Sequence, residues 1–400
     1  MRRETTGMTG PAIITKRSIS DRVHEMLSSW TSLDGRFMAV VVALVIAGIL
    51  AVTSSSFAMA LSVHDDAWFF TRKQLGSAAL GVVCFFVISN IPASFIRRFA
   101  PYAFGLSAIL LLAVPFIGRA ALGAKRWLFF GPIQLQPSEI VKFTAVIWLA
   151  AILSSDRRRV KSMLQHWIQI GVIGFLIIMT ERQPDLGTAL CIGIGVVATL
   201  FVANIHRSQI IAIILVGACG VGYLVFAPQG GHDYRSGRFA AVADPGKDKD
   251  GAGMQNWRSL VALANGGATG LGLGQSREKR RGGVPMQRTD FIFAVVGEEV
   301  GLVGTLSLLA LYLWLLMVGI NLSVRSTDPF SRYAIAGITS SIVGQALLNM
   351  AVVTSIVPAT GIPLPLVSYG GTSLVLTLAA LGVVAALSRR KPARNMGMEK

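Results

Sequence analysis

The stretch that decides the fold is Met286–Gly301, MQRTDFIFAVVGEEVG. It opens a run that stays apolar to about residue 320, which is long enough to cross the ~30 Å hydrocarbon core of a bilayer as a helix. The same stretch carries Asp290 at its mouth and Glu298 and Glu299 inside it. A charged side chain at that depth in a bilayer is energetically unfavourable, so these carboxylates must face protein, a water-filled cavity or a partner cation. The stretch therefore predicts a membrane protein with a polar site.

Composition places the whole chain in the membrane class. Of its 400 residues, 53% are hydrophobic and only 14% charged, with a mean hydropathy of +0.61, whereas soluble proteins carry about 25% charged residues. The net charge of +17 is attributed to arginine and lysine at the cytoplasmic face, and no nucleic-acid partner is expected. The three cysteines form no CxxC pair and the five histidines have no metal-ligand spacing, so no metal site is predicted.

Ten apolar runs approach the length of a transmembrane helix. The predicted fold is an all-α membrane protein, a polytopic bundle of about ten transmembrane helices with one large extracytoplasmic loop. Residues 37–388 would form this transmembrane domain, residues 1–36 and 389–400 its two tails, and residues 228–289 the loop. The predicted spans are 37–57, 74–92, 100–118, 139–155, 166–181, 186–205, 208–227, 290–320, 333–355 and 371–388.

Arginine and lysine set the predicted orientation of these spans. An even number of spans puts both ends on one side, and most basic residues outside the 228–289 loop fall on that side. Because the basic loops of a membrane protein are the cytoplasmic ones, both tails are predicted to be cytoplasmic and the long loop to lie outside. Within that loop, residues 254–267 (MQNWRSLVALANGG) predict a short amphipathic helix lying at the membrane interface.

On this topology Asp290 stands at the outer boundary of the eighth span. Position alone leaves two interpretations open: a helix N-cap, a role that Thr289 would also suit, or a functional carboxylate. Glu298 and Glu299 lie ~12–13 Å deeper along the helix. For these two we favour structural pairing over a direct role.

A second polar patch, ALGAKRWLFFGPIQLQPSEIVK, leads from an outside loop into the fourth span. Lys125, Arg126 and Trp127 are predicted to sit in the loop. The two adjacent cations suit a phosphate or pyrophosphate headgroup, with ordinary snorkelling to the membrane surface as the alternative. Glu139 and Lys142 are three residues apart on one helix face and are predicted to form an ion pair.

Two further patches lie on the same predicted side. In ERQPDLGTA, Asp185 follows a proline and is a candidate cap for the sixth span. VPATGIPLPLVSYGGTSL crowds prolines and glycines between the last two spans. Such non-helical backbone survives near a membrane only when it is buried in protein or lines a cavity, so Ser368 and Tyr369 are candidate cavity-lining residues. Together the four patches predict one outward-facing polar site for an amphiphile with an anionic headgroup and a lipid tail.

Four motifs in this order, GAKRWL…QPSEIVK, QPDLGTAL, TDFIFAVVGEEVGLVG and GIPLPLVSYGGTSL, resemble the SEDS family over about residues 37–388. The resemblance implies a peptidoglycan glycosyltransferase. Its substrate would be lipid II, the undecaprenyl-pyrophosphate-linked disaccharide-pentapeptide, polymerised at the outer face of the bacterial cytoplasmic membrane. Asp290, in the TDF motif, becomes the expected catalytic residue. The motifs, with the cation and cavity arguments above, give these expected substrate-binding residues: Lys125, Arg126, Trp127, Glu139, Lys142, Asp185 and Ser368.

One motif departs from the family pattern. The family commonly reads LPE-x-HTDF, whereas this chain reads VPMQRTDF, with Met286 and Arg288 in place of glutamate and histidine. Arg288 is expected to add a cation beside Asp290 and to favour its ionised form. The implied partners are lipid II, membrane lipids and a class B penicillin-binding protein transpeptidase. No cofactor is expected apart from an optional divalent cation, and the start of the chain favours the division type (FtsW-like) over the elongation type.

A different class of function also fits these residues. A flippase that moves lipid II across the bilayer would use a cavity, broken helices and membrane carboxylates as well. A scaffold for other wall enzymes is a third hypothesis. Polymer formation by purified protein and lipid II in detergent, without a sealed bilayer, separates the enzyme from the flippase.

Overall fold

The computed structural model describes residues 33–121, 124–131, 133–155, 166–226, 246, 253–277 and 288–389. Most of the predicted tails and of the 228–289 loop lies outside these ranges. In the described ranges the chain forms eleven helices and three short strands, which are α1 (Gly35–His64), α2 (Phe69–Ser89), α3 (Ala93–Ile117), β1 (Arg119–Ala121), β2 (Ala124–Phe130), β3 (Ile133–Leu135), α4 (Pro137–Ser155), α5 (Trp167–Arg182), α6 (Leu186–Val202), α7 (Arg207–Phe226), α8 (Met254–Gly266), α9 (Ile292–Arg325), α10 (Pro329–Val353) and α11 (Gly371–Ser388).

Each of the ten predicted spans falls on a helix, which confirms the all-α polytopic architecture. Among the described residues, seven helices are long and apolar enough to cross a membrane: α1, α2, α3, α4, α9, α10 and α11. Helices α5 and α6 are shorter, with 16 and 17 residues, and α7 has 20 residues but is not among the seven. The count of ten spans therefore stays a prediction for these three.

Helices α4 and α10 form the centre of the bundle. Within their membrane-length windows, 67% and 72% of residues are buried, against 28% in α2 and in α3. Helix α10 packs on α4, α6 and α9, while α2 packs on α11 and α3 on α4. Small residues allow these close approaches: a Cβ on Gly337 of α10 would lie 2.2 Å from Thr199 Oγ1 of α6. Close packing of this kind is what holds helices together where lipid is as apolar as the side chains.

The prediction that Lys125, Arg126 and Trp127 sit in a loop is wrong, because all three lie on strand β2. β2 pairs antiparallel with β1 and with β3, forming a small sheet next to α3 and α4. Gly131 has a φ of +60° in the turn after β2, a conformation that suits a tight hairpin. Alternating side-chain direction along a strand then sends neighbouring residues to opposite faces.

Helix α9, predicted as one continuous span, is broken at Gly301, where φ is +74° and ψ is −162°. The backbone of residues 267–272 fills the break. Leu271 N and Gly272 N donate to the carbonyls of Glu298 and Glu299 at 3.0 and 2.9 Å. In the other direction, the amides of residues 302 and 303 donate to carbonyls 267 and 268 at 2.9 and 3.2 Å. The loop thus supplies the hydrogen bonds that the broken helix cannot make for itself.

Glycine makes this backbone-to-backbone contact possible. A Cβ on Gly266, at the end of α8, would lie 1.9 Å from Gly297 O of α9, and one on Gly270 would lie 2.1 Å from Glu299 O. Residues 254–266 form the predicted helix α8, which packs on α9 and α10. Its predicted position at the membrane interface stays a prediction.

A Gly266→Ala variant tests this contact. Alanine normally favours a helix over glycine by about 1 kcal/mol, but here the added methyl group meets the backbone of α9. We expect a loss of about 1–3 kcal/mol, the usual range for overpacking, seen as a lower Tm of the purified protein. Gly193→Ala is the matched control, since a Cβ on this α6 residue meets nothing within 4 Å. Equal Tm values for the two variants would contradict the close approach.

Candidate active site

Residues 358–370, between α10 and α11, form a non-helical stretch that we call the proline segment. Polar side chains from three helices hold its carbonyl groups, as expected for irregular backbone within a membrane bundle. The bonds are Asn349 Nδ2 to Ile362 O at 2.8 Å, Gln345 Nε2 to Pro363 O at 2.9 Å, Gln74 Nε2 to Ser368 O at 3.3 Å, and Tyr312 OH to Pro365 O. These hydrogen bonds fix the backbone of the proline segment.

The residues just before α9 are fixed by the same framework. Three successive carbonyl oxygens accept hydrogen bonds: Arg288 O from Tyr369 N at 2.9 Å, Thr289 O from Ser368 Oγ at 2.5 Å, and Asp290 O from Asn349 Nδ2 at 2.7 Å. The backbone that carries Asp290 is thus tied to the proline segment and to α10.

The structure excludes the interpretation of Asp290 as the N-cap of α9. Helix α9 begins at Ile292 and its N-cap is Phe291, without a side-chain cap. The Asp290 carboxylate instead borders the space in front of Gly361, together with Arg126. A Cβ placed on Gly361 would lie 3.7 Å from Asp290 Oδ2 and 3.8 Å from Arg126 Nη1. An acid and a guanidinium therefore face one small space beside a residue that has no side chain.

Arg126 reaches this space because its other nitrogens are anchored. Nε donates to Gln183 O at 2.9 Å and Nη2 donates to Pro184 O, in the turn between α5 and α6. The planar guanidinium has donors on three nitrogens in fixed directions, so the anchored pair aims Nη1 towards Gly361. On the same strand, Lys125 is exposed and Trp127 is half-buried.

Asp185 is the N-cap of α6, as predicted. It is 2% exposed, and Oδ1 accepts from Thr188 N at 3.2 Å. Oδ2 accepts from Gln136 Nε2 at 2.7 Å and from Ser138 Oγ at 3.0 Å. These bonds join the start of α6 to the start of α4, directly behind the turn that anchors Arg126.

The predicted ion pair between Glu139 and Lys142 is confirmed, with Lys142 Nζ 2.9 Å from Glu139 Oε2. Both residues are buried, at 3% and 1% exposed. Lys142 Nζ also donates to Gln345 Oε1 at 2.6 Å, and Ser373 Oγ donates to Glu139 Oε2 at 3.2 Å. The pair therefore reaches the proline segment through Gln345, which holds Pro363.

Glu298 and Glu299 make the structural contacts favoured for them. The Glu298 carboxylate accepts from Arg277 N at 3.0 Å and from Ser276 Oγ, while Glu299 accepts from Ser54 Oγ of α1. Both residues are buried. Their side chains fasten the loop after α8 to α9 and α1, beside the break at Gly301.

Arg288 lies against aromatic rings. Its guanidinium carbon is 4.0 Å from the centre of the Phe70 ring and 5.6 Å from that of Tyr369, a cation–π arrangement. Nη1 is 3.0 Å from Met59 Sδ. Burial lowers the pKa of Arg288, and it raises the pKa of Tyr369. A partly desolvated guanidinium gains more from an approaching anion than a fully hydrated one.

The structure brings most of the predicted site residues into one connected framework. Asp290 and Arg126 face the same space, whereas Glu139, Lys142, Asp185 and Ser368 are buried and bonded to the segments around it. Met286 lies outside the described residues, as do residues 278–281 of the basic stretch REKRR at 277–281. The role of each residue towards a substrate stays a prediction.

Sequence reasoning missed Gln345, Asn349 and Gly361. The first two were detectable, since they are uncharged polar residues four apart inside an apolar span and therefore share one helix face. Gly361 has a φ of +71°, and nothing in the sequence says that its missing side chain borders Asp290.

The family model and the relatives that match this chain agree on one family. The family model FTSW_RODA_SPOVE, described as "Cell cycle protein", matches residues 35–393. The chain is 35% identical to stage V sporulation protein E of Bacillus subtilis over 370 residues, which covers 91% of this chain and 99% of that protein. It is 35% identical to the probable peptidoglycan glycosyltransferase FtsW of Geobacter metallireducens over 352 residues, covering 87% and 92%.

A solved structure shares the fold. It is reported under the description "Structural coordination of polymerization and crosslinking by a peptidoglycan synthase complex". The TM-score is 0.73 at 28% sequence identity, and the match covers 89% of this chain and 98% of that one.

A Lys142→Met variant tests the buried ion pair. It leaves the Glu139 carboxylate buried without its cation, a change that typically costs about 3–5 kcal/mol, so we expect a clearly lower Tm. A Glu139→Gln/Lys142→Met double variant should recover part of the loss. The matched control is Arg72→Met, which breaks the ion pair with Asp66, where Arg72 is 68% exposed and the effect should be below about 1 kcal/mol. Equal losses at the two sites would contradict the assignment.

Proposed function

This chain belongs to the FtsW/RodA/SpoVE family of cell cycle proteins and is a peptidoglycan glycosyltransferase, and from that premise we propose that Asp290, Arg126 and Gly361 border its reaction centre. One observation carries the proposal. A carboxylate oxygen and a guanidinium nitrogen both approach the space in front of Gly361, at 3.7 and 3.8 Å from where its Cβ would be. Sugar transfer from a pyrophosphate needs a base for the incoming hydroxyl and positive charge for the departing phosphate.

The proposed substrate is lipid II. One lipid II supplies the acceptor, the 4-hydroxyl of its GlcNAc, and the growing strand on its lipid pyrophosphate is the donor. Asp290 accepts the hydroxyl proton while the oxygen attacks the anomeric carbon of the donor MurNAc. The bond from that carbon to the pyrophosphate breaks, its electron pair leaves with the pyrophosphate, and the configuration is inverted. A positioned base of this kind typically contributes ~10²–10⁴-fold.

Arg126 is proposed to stabilise the departing pyrophosphate. Its Nε and Nη2 are held by the carbonyls of Gln183 and Pro184, so Nη1 is oriented before the substrate arrives. Oriented donors aimed at developing charge need little reorganisation during the reaction, which is why they lower barriers strongly. Lys125, exposed on the same strand, is proposed to add long-range attraction for the anion, and the half-buried Trp127 to contact the sugar.

The contacts of the buried residues predicted to bind substrate support a positioning role for them. Asp185 fixes the start of α6 behind the Arg126 anchor, and Ser368 holds the carbonyl of Thr289. Glu139 and Lys142 support Gln345, which holds the proline segment. We propose that these residues position the reaction centre, and their direct contact with substrate stays a prediction.

A metal site is not assigned. In the described ranges, no group of three or more His, Cys, Asp or Glu side chains could hold a metal ion. A divalent cation that enters with the substrate pyrophosphate remains an optional participant.

The orientation and partner are also proposals. The chain is a multi-pass membrane protein. We propose that the end of the bundle with Asp290 and the hairpin faces outwards from the bacterial cytoplasmic membrane, with both tails in the cytoplasm. A class B penicillin-binding protein is the proposed partner, supported by the similarity to a chain from a peptidoglycan synthase complex. A role of the protein in cell division rather than in elongation remains a prediction.

Asp290→Asn tests the proposed base. The amide keeps the size of the side chain but cannot take the proton, so polymer formation from lipid II in detergent should fall at least ~10²-fold, with an unchanged Tm. Asp65→Asn is the control, because Asp65 is exposed and its left-handed conformation (φ +52°) suits asparagine. Full polymer formation by Asp290→Asn at an unchanged Tm would contradict the assignment of Asp290 as the base.

Gly361→Ala tests the space between the base and the guanidinium. The new methyl group would lie in van der Waals contact with both Asp290 Oδ2 and Arg126 Nη1. It would occupy the space proposed for the substrate, so kcat for polymer formation should fall by about tenfold or more, as expected when a bound substrate is displaced by a fraction of an ångström. The strain of alanine at positive φ is matched by Gly131→Ala, where φ is +60° and a Cβ meets nothing within 4 Å. The same loss in both variants would assign the effect to backbone strain.

A further inference from the structure

Three side chains from separate segments meet beside the turn that carries Asp290. They are Arg288 in that turn, Phe70 near the start of α2, and Tyr369 in the proline segment. The guanidinium carbon of Arg288 lies 4.0 Å from the centre of the Phe70 ring and 5.6 Å from that of Tyr369. The two rings meet edge to face, with centroids 5.5 Å apart and an interplanar angle of 83°. Each side chain therefore contacts the other two, and we call the set the Arg288 cluster.

The Arg288 cluster is tied to the backbone that leads into Asp290. Tyr369 N donates to Arg288 O at 2.9 Å, so these two residues are joined through their backbones as well as their side chains. The next carbonyl, Thr289 O, accepts from Ser368 Oγ at 2.5 Å. Asp290 follows directly, and its place therefore depends on how firmly residues 288 and 289 are held against the proline segment.

Helix α2 supports the cluster from the other side. Phe70 is only 6% exposed, so the packing around it leaves its ring little freedom. One turn later, on the same face of α2, Gln74 Nε2 donates to Ser368 O at 3.3 Å. A Cβ on Gly371 would lie 3.2 Å from Ser77 Oγ, again on α2. One helix face thus holds the chain at residues 368–371, next to the turn of Asp290.

The charge of Arg288 is directed at the rings. Among the described residues it forms no ion pair with a carboxylate, and its Nη1 lies 3.0 Å from Met59 Sδ of α1. The face of an aromatic ring attracts a cation electrostatically, and more strongly when the cation is partly removed from water, as it is at this half-buried residue. A guanidinium also stays charged at neutral pH, so the attraction is permanent.

We propose that Arg288 is a positioning residue, whose stacking on Phe70 and Tyr369 holds the turn that carries Asp290 in place for the reaction. The proposal rests on the proposed function and adds a residue that acts through the base rather than on the substrate. It couples α2 and the proline segment to Asp290. It also gives the departure from HTDF to RTDF a physical role, because a histidine at this position would be largely uncharged at neutral pH, whereas arginine supplies a constant cation for the rings.

A double-mutant cycle tests the stacking. Arg288→Met keeps an unbranched apolar side chain but removes the cation, and Phe70→Leu removes the ring but stays apolar. We expect each change to lower kcat for polymer formation from lipid II about tenfold, because a displaced base loses rate steeply, with KM within about twofold. The double variant should be no slower than the slower single variant, since both changes break the same contact. Arg288→Lys, which keeps a cation, should recover most of the loss.

Lys73 provides the matched control. Its Nζ lies 4.3 Å from the centre of the Phe69 ring, a second cation–π contact on α2, and Lys73 is exposed. Lys73→Met should leave kcat within about twofold. Amide hydrogen exchange at Tyr369, whose N–H bonds to Arg288 O, gives a measurement independent of activity. It should be faster in Arg288→Met than in Lys73→Met.

The other outcomes overturn the proposal. If the losses multiply in the double variant, Arg288 and Phe70 act separately. A raised KM with unchanged kcat in Arg288→Met would make Arg288 a direct ligand of the substrate, and unchanged kcat and KM would remove any role. If Phe70→Leu does not fold, the comparison of Arg288→Met with Arg288→Lys and the exchange at Tyr369 decide the question. The proposed function fails separately, through undiminished polymer formation by Asp290→Asn.

Discussion

Backbone that leaves helical geometry inside a bilayer must find its hydrogen-bond partners within the protein. This chain meets that constraint twice, at the break in α9 and in the proline segment. At the break in α9, the loop after α8 supplies backbone donors and acceptors to residues 298–303. In the proline segment, side chains such as Gln345 and Asn349 supply them. Non-helical backbone can therefore exist within this helical bundle, and the same framework of hydrogen bonds holds the backbone that carries Asp290.

The carboxylates of the site are distinguished by what surrounds them. Glu139 has a buried ammonium group as its partner, Asp185 caps a helix, and Glu298 receives donors from the loop. Each of these arrangements offsets the cost of a buried charge by local bonds. The Asp290 carboxylate borders the space in front of Gly361, as does the anchored guanidinium of Arg126. This position beside Arg126 and Gly361, rather than depth alone, is the reason that Asp290 is proposed as the base.

Sequence reasoning succeeded where the physics is local. The length of apolar runs located the helices, the i,i+3 spacing identified the Glu139–Lys142 pair, and a residue before a helix identified the Asp185 cap. It failed where the conformation of one segment depends on its hydrogen bonds to another segment. The break at Gly301 depends on the loop at 267–272, and the strand that carries Arg126 depends on pairing across a hairpin. The sequence around Gly301 indicates only a small residue in an apolar helix, because its positive φ depends on the loop at 267–272.

The paired break also bears on how the protein is made. If α9 entered the bilayer by itself with its break at Gly301, the carbonyls of Glu298 and Glu299 and the amides of residues 302 and 303 would meet lipid without hydrogen bonds. The loop that satisfies them precedes α9 in the chain, so it is already synthesised when α9 emerges. The kinked form of α9 is therefore stable in a membrane only once α8 and the glycine-rich loop have joined it, which makes these three segments one cooperative unit of assembly.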